Sequence, residues 1–195
     1  PPIVTGRKFA ELAEDYRLCW AACRINDAKR AEVAKSVDKL LVGRARYEKV
    51  SARSNGVPWQ LLGVMHGLEC GYGFLKHLHN GDSLGGKTHR VPEGRPPNWN
   101  PATGSWEDSA VDAVTFKKLD KVPAWPIEAV LYALESFNGF GYRPLGIRSP
   151  YLWSFSNLYT KGKFVADHVF DATVASKQVG AALVVKLLEE RRLWP

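Results

Sequence analysis

VPWQLLGVMHGLECGYGFLKHLHNGDSLGGKTHRVPEGR, residues 57–95, decides how the chain is read. It begins as a helix and ends as a polar, glycine-rich loop. Pro58 suits the first helical position, where its missing N–H would find no partner in any case. Trp59 to Leu68 are mostly apolar and Gly71 and Gly73 stop the run, which predicts a short buried helix with Glu69 in its last turn. A carboxylate there lies at the negative end of the helix dipole among apolar neighbours, and both effects disfavour its ionised form. A general acid working near neutral pH needs a pKa raised in that way. Leu62, His66 and Glu69 share one helical face, and a leucine beside two polar groups suits a cleft wall better than a core stripe. The plain alternative is a solvated surface glutamate. Asp82 and Thr88 follow in loop sequence rich in Asn, Gly and Ser. The expectation is one acid and one water-positioning pair, separated by a loop.

The order Glu69, Asp82, Thr88 resembles the catalytic triad of the phage-type lysozymes. Five residues separate Asp82 from Thr88, as in that family; twelve separate Glu69 from Asp82, more than the family has. The text HLHNGDSL, the following TxxVPxGRP and SWEDSAVDA are also similar to a group of lysozyme-like phage and bacterial cell-wall proteins. The likeness runs from about Val57 to the C-terminus.

Composition bounds the rest. At 195 residues and 45% hydrophobic content, the chain predicts one globular domain with a proper core. No apolar run approaches a membrane span, and PPIVTGRKFAEL does not read as a signal peptide, although a leader removed by processing fits the missing initiating Met. Three cysteines cannot all pair. Cys19 and Cys23, one helical turn apart, read as small buried residues. The excess of 27 basic over 20 acidic residues gives a net charge of +7. That charge favours an anionic polymer, nucleic acid or bacterial wall, without choosing between them.

In chain order, Phe9–Cys23 reads as an amphipathic helix carrying Leu12, Tyr16 and Cys19. Asn26 or Asp27 caps a second, basic helix predicted to run to about Arg53, with Val33, Val37, Leu40 and Leu41 as its buried stripe. Its Lys and Arg residues lack interleaved aromatics, so they read as a solvated face and not as a nucleic-acid surface. Asn55-Gly56 is a turn. Four prolines between Thr88 and Ser105 predict irregular structure, with a short hairpin around Gly85-Gly86. Ser105 caps a helix through SWEDSAVDAVTFKKL, and Pro126 opens another that Asn138-Gly139 ends. Phe164–Val169 reads as a bridging segment, and Asp171 as the cap of a closing helix from Ala172 to about Arg192.

The segment ESFNGFGYRPLGIRSPYLWS sets aromatics between glycines with Asn, Tyr and Arg interspersed. Aromatic faces stack on pyranose rings, while amides and guanidinium groups bind hydroxyls and carboxylates. FNGFGYR resembles the elements lining the cleft of several lysozyme-like families, which makes Asn138, Tyr142 and Arg143 candidate substrate contacts, with His66 and Tyr151 beside them and Trp153 and Tyr159 as extensions. The alternative is turn and core residues. His77, His79 and Asp82, with His66 or His89, are a conceivable zinc set, but no HExxH or Cys pair accompanies them, so no metal or other cofactor is expected.

The resemblance therefore implies a mainly α, α+β lysozyme-like fold: helices around a cleft with a small loop or β-hairpin subdomain. Over residues 1–195 it implies one catalytic domain, with N-terminal helices at about 5–54 and a catalytic core at about 57–195. The implied activity is a peptidoglycan muramidase, cleaving the β-1,4 bond between N-acetylmuramic acid and N-acetylglucosamine. Glu69 protonates the leaving oxygen, and Asp82, helped by Thr88, activates water with inversion at a carboxyl separation of roughly 6.5–9.5 Å. A lytic transglycosylase on the same bond and a non-catalytic wall-binding module are the alternatives. The expected partner is the glycan strand, with no nucleic acid, no stable membrane insertion and a monomeric state. The expected place of action is the bacterial wall, periplasmic or extracellular.

Overall fold

The computed structural model describes residues 2–166 and 168–194. It is mainly helical, with eight α-helices and one two-stranded antiparallel sheet among the described residues. No helix there is long and apolar enough to cross a membrane. Contacts group the chain into two compact units, Pro1–Val37 with Ala124–Pro195, and Asp38–Pro123. Helix α2 (Arg30–Val42) continues from the first into the second.

In the first unit, α1 (Phe9–Ala22) buries Leu12, Asp15, Tyr16 and Cys19. It packs on α6 (Ile127–Asn138), which is preceded by an extended Pro126 and followed by Gly139, as the sequence predicts. Helix α6 packs on the short α7 (Pro150–Trp153), and α7 on α8 (Ala181–Glu190). The predicted bridging segment is the sheet itself: β1 (Lys163–Ala166) pairs with β2 (Val169–Asp171). The closing helix starts at Ala181 instead of Ala172. The Asp171 carboxylate accepts from the backbone N–H and the hydroxyl of Thr173, forming a local turn and no cap. Val174, placed on the helical stripe by its spacing, is exposed, while Leu183 and Leu187 are buried.

In the second unit, α3 (Arg44–Ala52) packs on α4 (Trp59–Cys70) and on α5 (Trp106–Phe116). The long basic helix of the sequence reading breaks at Gly43, where an added Cβ would stand 2.6 Å from the Tyr47 ring and 2.8 Å from Phe74. Glycine there lets two aromatic rings close over the backbone, and the break follows from that packing. Ser105 caps α5 reciprocally with Asp108. The hairpin-like closure falls earlier than Gly85-Gly86: the Leu84 N–H donates to the Leu75 carbonyl at 3.0 Å and the His77 N–H to the Asp82 carbonyl at 2.7 Å. Its core gathers Leu40, Tyr47, Val50, Leu61, Leu62, Met65 and Trp106. All three cysteines of the chain are buried, free thiols.

Candidate functional site

Helix α4 is buried along almost its whole length, from Gln60 through His66 and again at Cys70. Its apolar sequence leaves no solvated face. Gly71 ends it in the left-handed conformation at φ 59°, its N–H returning to the carbonyls of Gly67 and His66. Glu69 therefore stands half-buried in the last turn of an apolar helix. The next loop is seated against it. At Gly81 the backbone has φ +76°, and an added Cβ would lie 2.5 Å from the Glu69 carbonyl oxygen. Only glycine allows that approach, and the residue that follows is Asp82. Two neighbours feel the Glu69 charge. Burial pushes the Cys70 thiol up to about 12 and Glu69 adds to the rise. Burial lowers the Lys117 ammonium, with Glu69 pulling the other way.

Asp82 is bound by its own loop. Its Oδ2 accepts from the backbone N–H groups of His89 (2.8 Å) and Arg90 (2.9 Å), and its Oδ1 from the Arg90 guanidinium at 2.7 Å. Burial alone would raise its pKa; the Arg90 amide and guanidinium and the His89 amide outweigh it and hold the carboxyl at about 2. Thr88 is buried, and its hydroxyl donates to the Pro92 carbonyl while accepting from the Arg95 N–H at 2.8 Å. The Thr88 backbone adds two more bonds to Arg95 and Gly94, so one threonine closes the 88–95 loop. Asn80 laces that loop to the one before it through the Arg90 carbonyl, at 2.9 Å. Glu69 and the Asp82 loop are thus brought together, while the Thr88 hydroxyl has its proton committed within the loop.

His66 is a core residue. It is fully buried, bonded through Nδ1 to the Tyr47 hydroxyl at 2.8 Å, and packed between Phe74 and Trp106. Burial pulls its pKa down to about 4. His77 bridges the Ser109 hydroxyl and the Gly86 carbonyl, both at 2.7 Å. His79 meets Asp112 at 2.7 Å, and Arg95 binds the same carboxylate through two nitrogens. Among the described residues no group of three or more His, Cys, Asp or Glu is arranged to hold a metal.

The remaining predicted contacts belong to the first unit. Asn138 is exposed at the end of α6 and lines an open pocket of about 440 Å³ with Gly139, Gly141, Tyr142, Phe164, Ala166 and His168. The Tyr142 hydroxyl accepts from the Phe164 N–H at 3.1 Å, which leaves its proton available. Arg143 points elsewhere: it is 4% exposed and bonded to Glu135 (2.7 and 3.0 Å), to Asp15 (3.0 Å) and to the Val4 carbonyl. Tyr16 donates to the same Glu135 at 2.6 Å. Here the turn-and-core alternative describes Arg143, and Tyr151 is likewise buried.

The sequence reading assigns no part in a site to Gly81, Arg95, Asp112 or Trp99, and reads Lys117 only as a basic residue at a helix end. Arg95 and Asp112 stand inside the quoted TxxVPxGRP and SWEDSAVDA motifs, and that was the available signal. No family model, curated protein or solved structure matches the chain.

Proposed function

We propose that the chain is a peptidoglycan glycoside hydrolase of lysozyme-like fold, a muramidase in which Glu69 is the general acid. The observation that carries this reading is the seating of Glu69: half-buried at the end of an apolar helix, with the Asp82 loop docked on its carbonyl through Gly81. Water is partly excluded there, and a second carboxylate follows one residue beyond the contact. Glu69 protonates the leaving oxygen of the β-1,4 bond. Asp82, kept ionised by Arg90 and two amides, is the partner carboxylate of an inverting reaction. The glycan strand is the partner, and the bacterial wall the place of action.

A second reading, a lytic transglycosylase, is favoured by the bonding of Thr88 and Asp82. A buried hydroxyl whose proton is committed to Pro92 has none to give a water, and a carboxylate near pKa 2 is a weak base. A transglycosylase needs only the acid/base, because the sugar's own hydroxyl captures the intermediate. Mass spectrometry of digested peptidoglycan separates the two: reducing-end muropeptides mark a hydrolase, anhydro ends a transglycosylase. Glu69→Gln keeps shape but cannot supply the proton, so release of either product should fall by at least ~10²–10⁴-fold while the thermal melt is unchanged. A folded Glu69→Gln protein that lyses walls normally would end both readings.

A further inference from the structure

The second unit carries an open pocket of about 460 Å³ whose lining does not include Glu69. That volume is in the range of small-molecule sites. One wall is Trp99 with Pro96; the others include Asn98, Thr103, Asp108 and Asp112. The tryptophan is fixed from three directions. Its indole N–H donates to the Leu84 carbonyl at 2.8 Å, and its ring and that of His77 meet in a T-shaped pair, 4.9 Å between centroids. Its far end lies over Gly104, where an added Cβ would come within 2.7 Å of the ring. Both carboxylates are equally held. Asp108 accepts from Ser105 and from the Arg53 guanidinium at 2.7 Å, and Asp112 from His79 and Arg95. Each keeps spare acceptor capacity on Oδ1, which takes a single bond.

These features select a ligand class. Each carboxylate on the lining is compensated by a guanidinium, Asp108 by Arg53 and Asp112 by Arg95, so the pair leaves no surplus charge to recruit either a phosphate or a free ammonium. An uncharged polyhydroxyl ligand fits all of it: hydroxyls donate to the spare carboxylate lone pairs and to the exposed Asn98 amide, and a C–H face lies on the indole. We infer that the Trp99 pocket is a sugar-binding site that does not involve Glu69, and that it holds an uncharged pyranose unit of a glycan. It goes beyond the glycosidase reading and does not depend on it.

The test uses the Glu69→Gln protein, which would leave an oligosaccharide uncut, labelled with ¹⁵N at its seven tryptophans. Chitohexaose is the probe, and the Trp99 indole resonance, assigned by its loss in Trp99→Phe, is the readout. Saturable movement of that resonance is expected, with a Kd raised about three- to tenfold by Asn98→Ala, the loss of one hydrogen bond. Thr103→Lys, on an exposed lining residue, should weaken it similarly by crowding the pocket. A Trp99 signal that stays still while chitohexaose moves other indoles, or one whose Kd is unchanged in both variants, overturns the inference. If this binding is found in a protein that releases no muropeptides, the pocket stands and the glycosidase reading falls. Lysis with a silent Trp99 signal gives the reverse.

Discussion

The Thr88 hydroxyl shows how one residue can suit two accounts until its partners are known. By type and spacing it suits water-positioning; by bonding it is a loop closure, giving its proton to Pro92 and taking one from the Arg95 amide. The accounts predict different losses. Thr88→Val is close to isosteric but deletes the hydroxyl, leaving the half-buried Pro92 carbonyl and Arg95 amide each short of a partner, which costs about 1 kcal/mol or more. The urea midpoint should drop accordingly, with turnover per folded molecule retained. Unchanged stability with lost turnover would return Thr88 to the chemistry. Asp82 is the neighbouring case: three bonds from residues 89 and 90 give it a structural task, yet those same bonds keep it charged beside the end of α4.

Elements bounded by a chemical signal were legible, and elements bounded by packing were not. Ser105 with Asp108, Pro126, Gly71 and Gly139 end or begin helices for local reasons, and the sequence states them. The break at Gly43 depends on Tyr47 and Phe74 closing over it, and Phe74 lies outside both helices. The start of α8 is the sharper example, because the apolar spacing of Val174 and Val179 continues the helical stripe upstream of it. What intervenes is Gly180, whose Cα faces the backbone of the 152–154 segment. A Cβ there would lie 2.4 Å from the Leu152 carbonyl oxygen and 2.7 Å from that of Ser154. Its φ of −71° is open to any residue, so space alone demands glycine. Gly180 is the N-cap of α8, where alanine is already poorer than glycine, and Gly180→Ala also drives a methyl into backbone that cannot swing aside. The expected outcome is a loss of about 1–3 kcal/mol in urea unfolding, with helix content retained. A neutral or stabilising effect would mean that the α7–α8 contact yields easily.

At the scale of the whole chain, the placement of the candidate residues was legible where it is local and illegible where it depends on distant partners. Glu69 could be placed from an apolar run and two glycines. Arg143 could not, because its partners are Glu135, eight residues back, and Asp15, far earlier in the chain. His66 and His79 belong to the same class: their spacing suggested a cleft wall or a metal set, and burial made them core residues. That has a consequence for acid stability. Burial pushes both down to about 4 from an ordinary value of 6.5. Asp112 offsets part of the effect at His79. In the unfolded chain both titrate near 6.5, so between about pH 6.5 and 4 the unfolded state binds protons that the folded state refuses. The stability tied to neutral imidazoles is whole above pH 6.5 and lost as pH falls toward 4, up to about 3 kcal/mol for each ring. Urea midpoints measured from pH 7.5 to 4 should therefore decline most steeply below 6.5. His66→Phe gives up the Tyr47 bond but keeps a ring between Phe74 and Trp106 and cannot take a proton. Its midpoint should start lower at pH 7.5 and decline less steeply; a slope equal to that of the unmodified protein would place the proton uptake on another group.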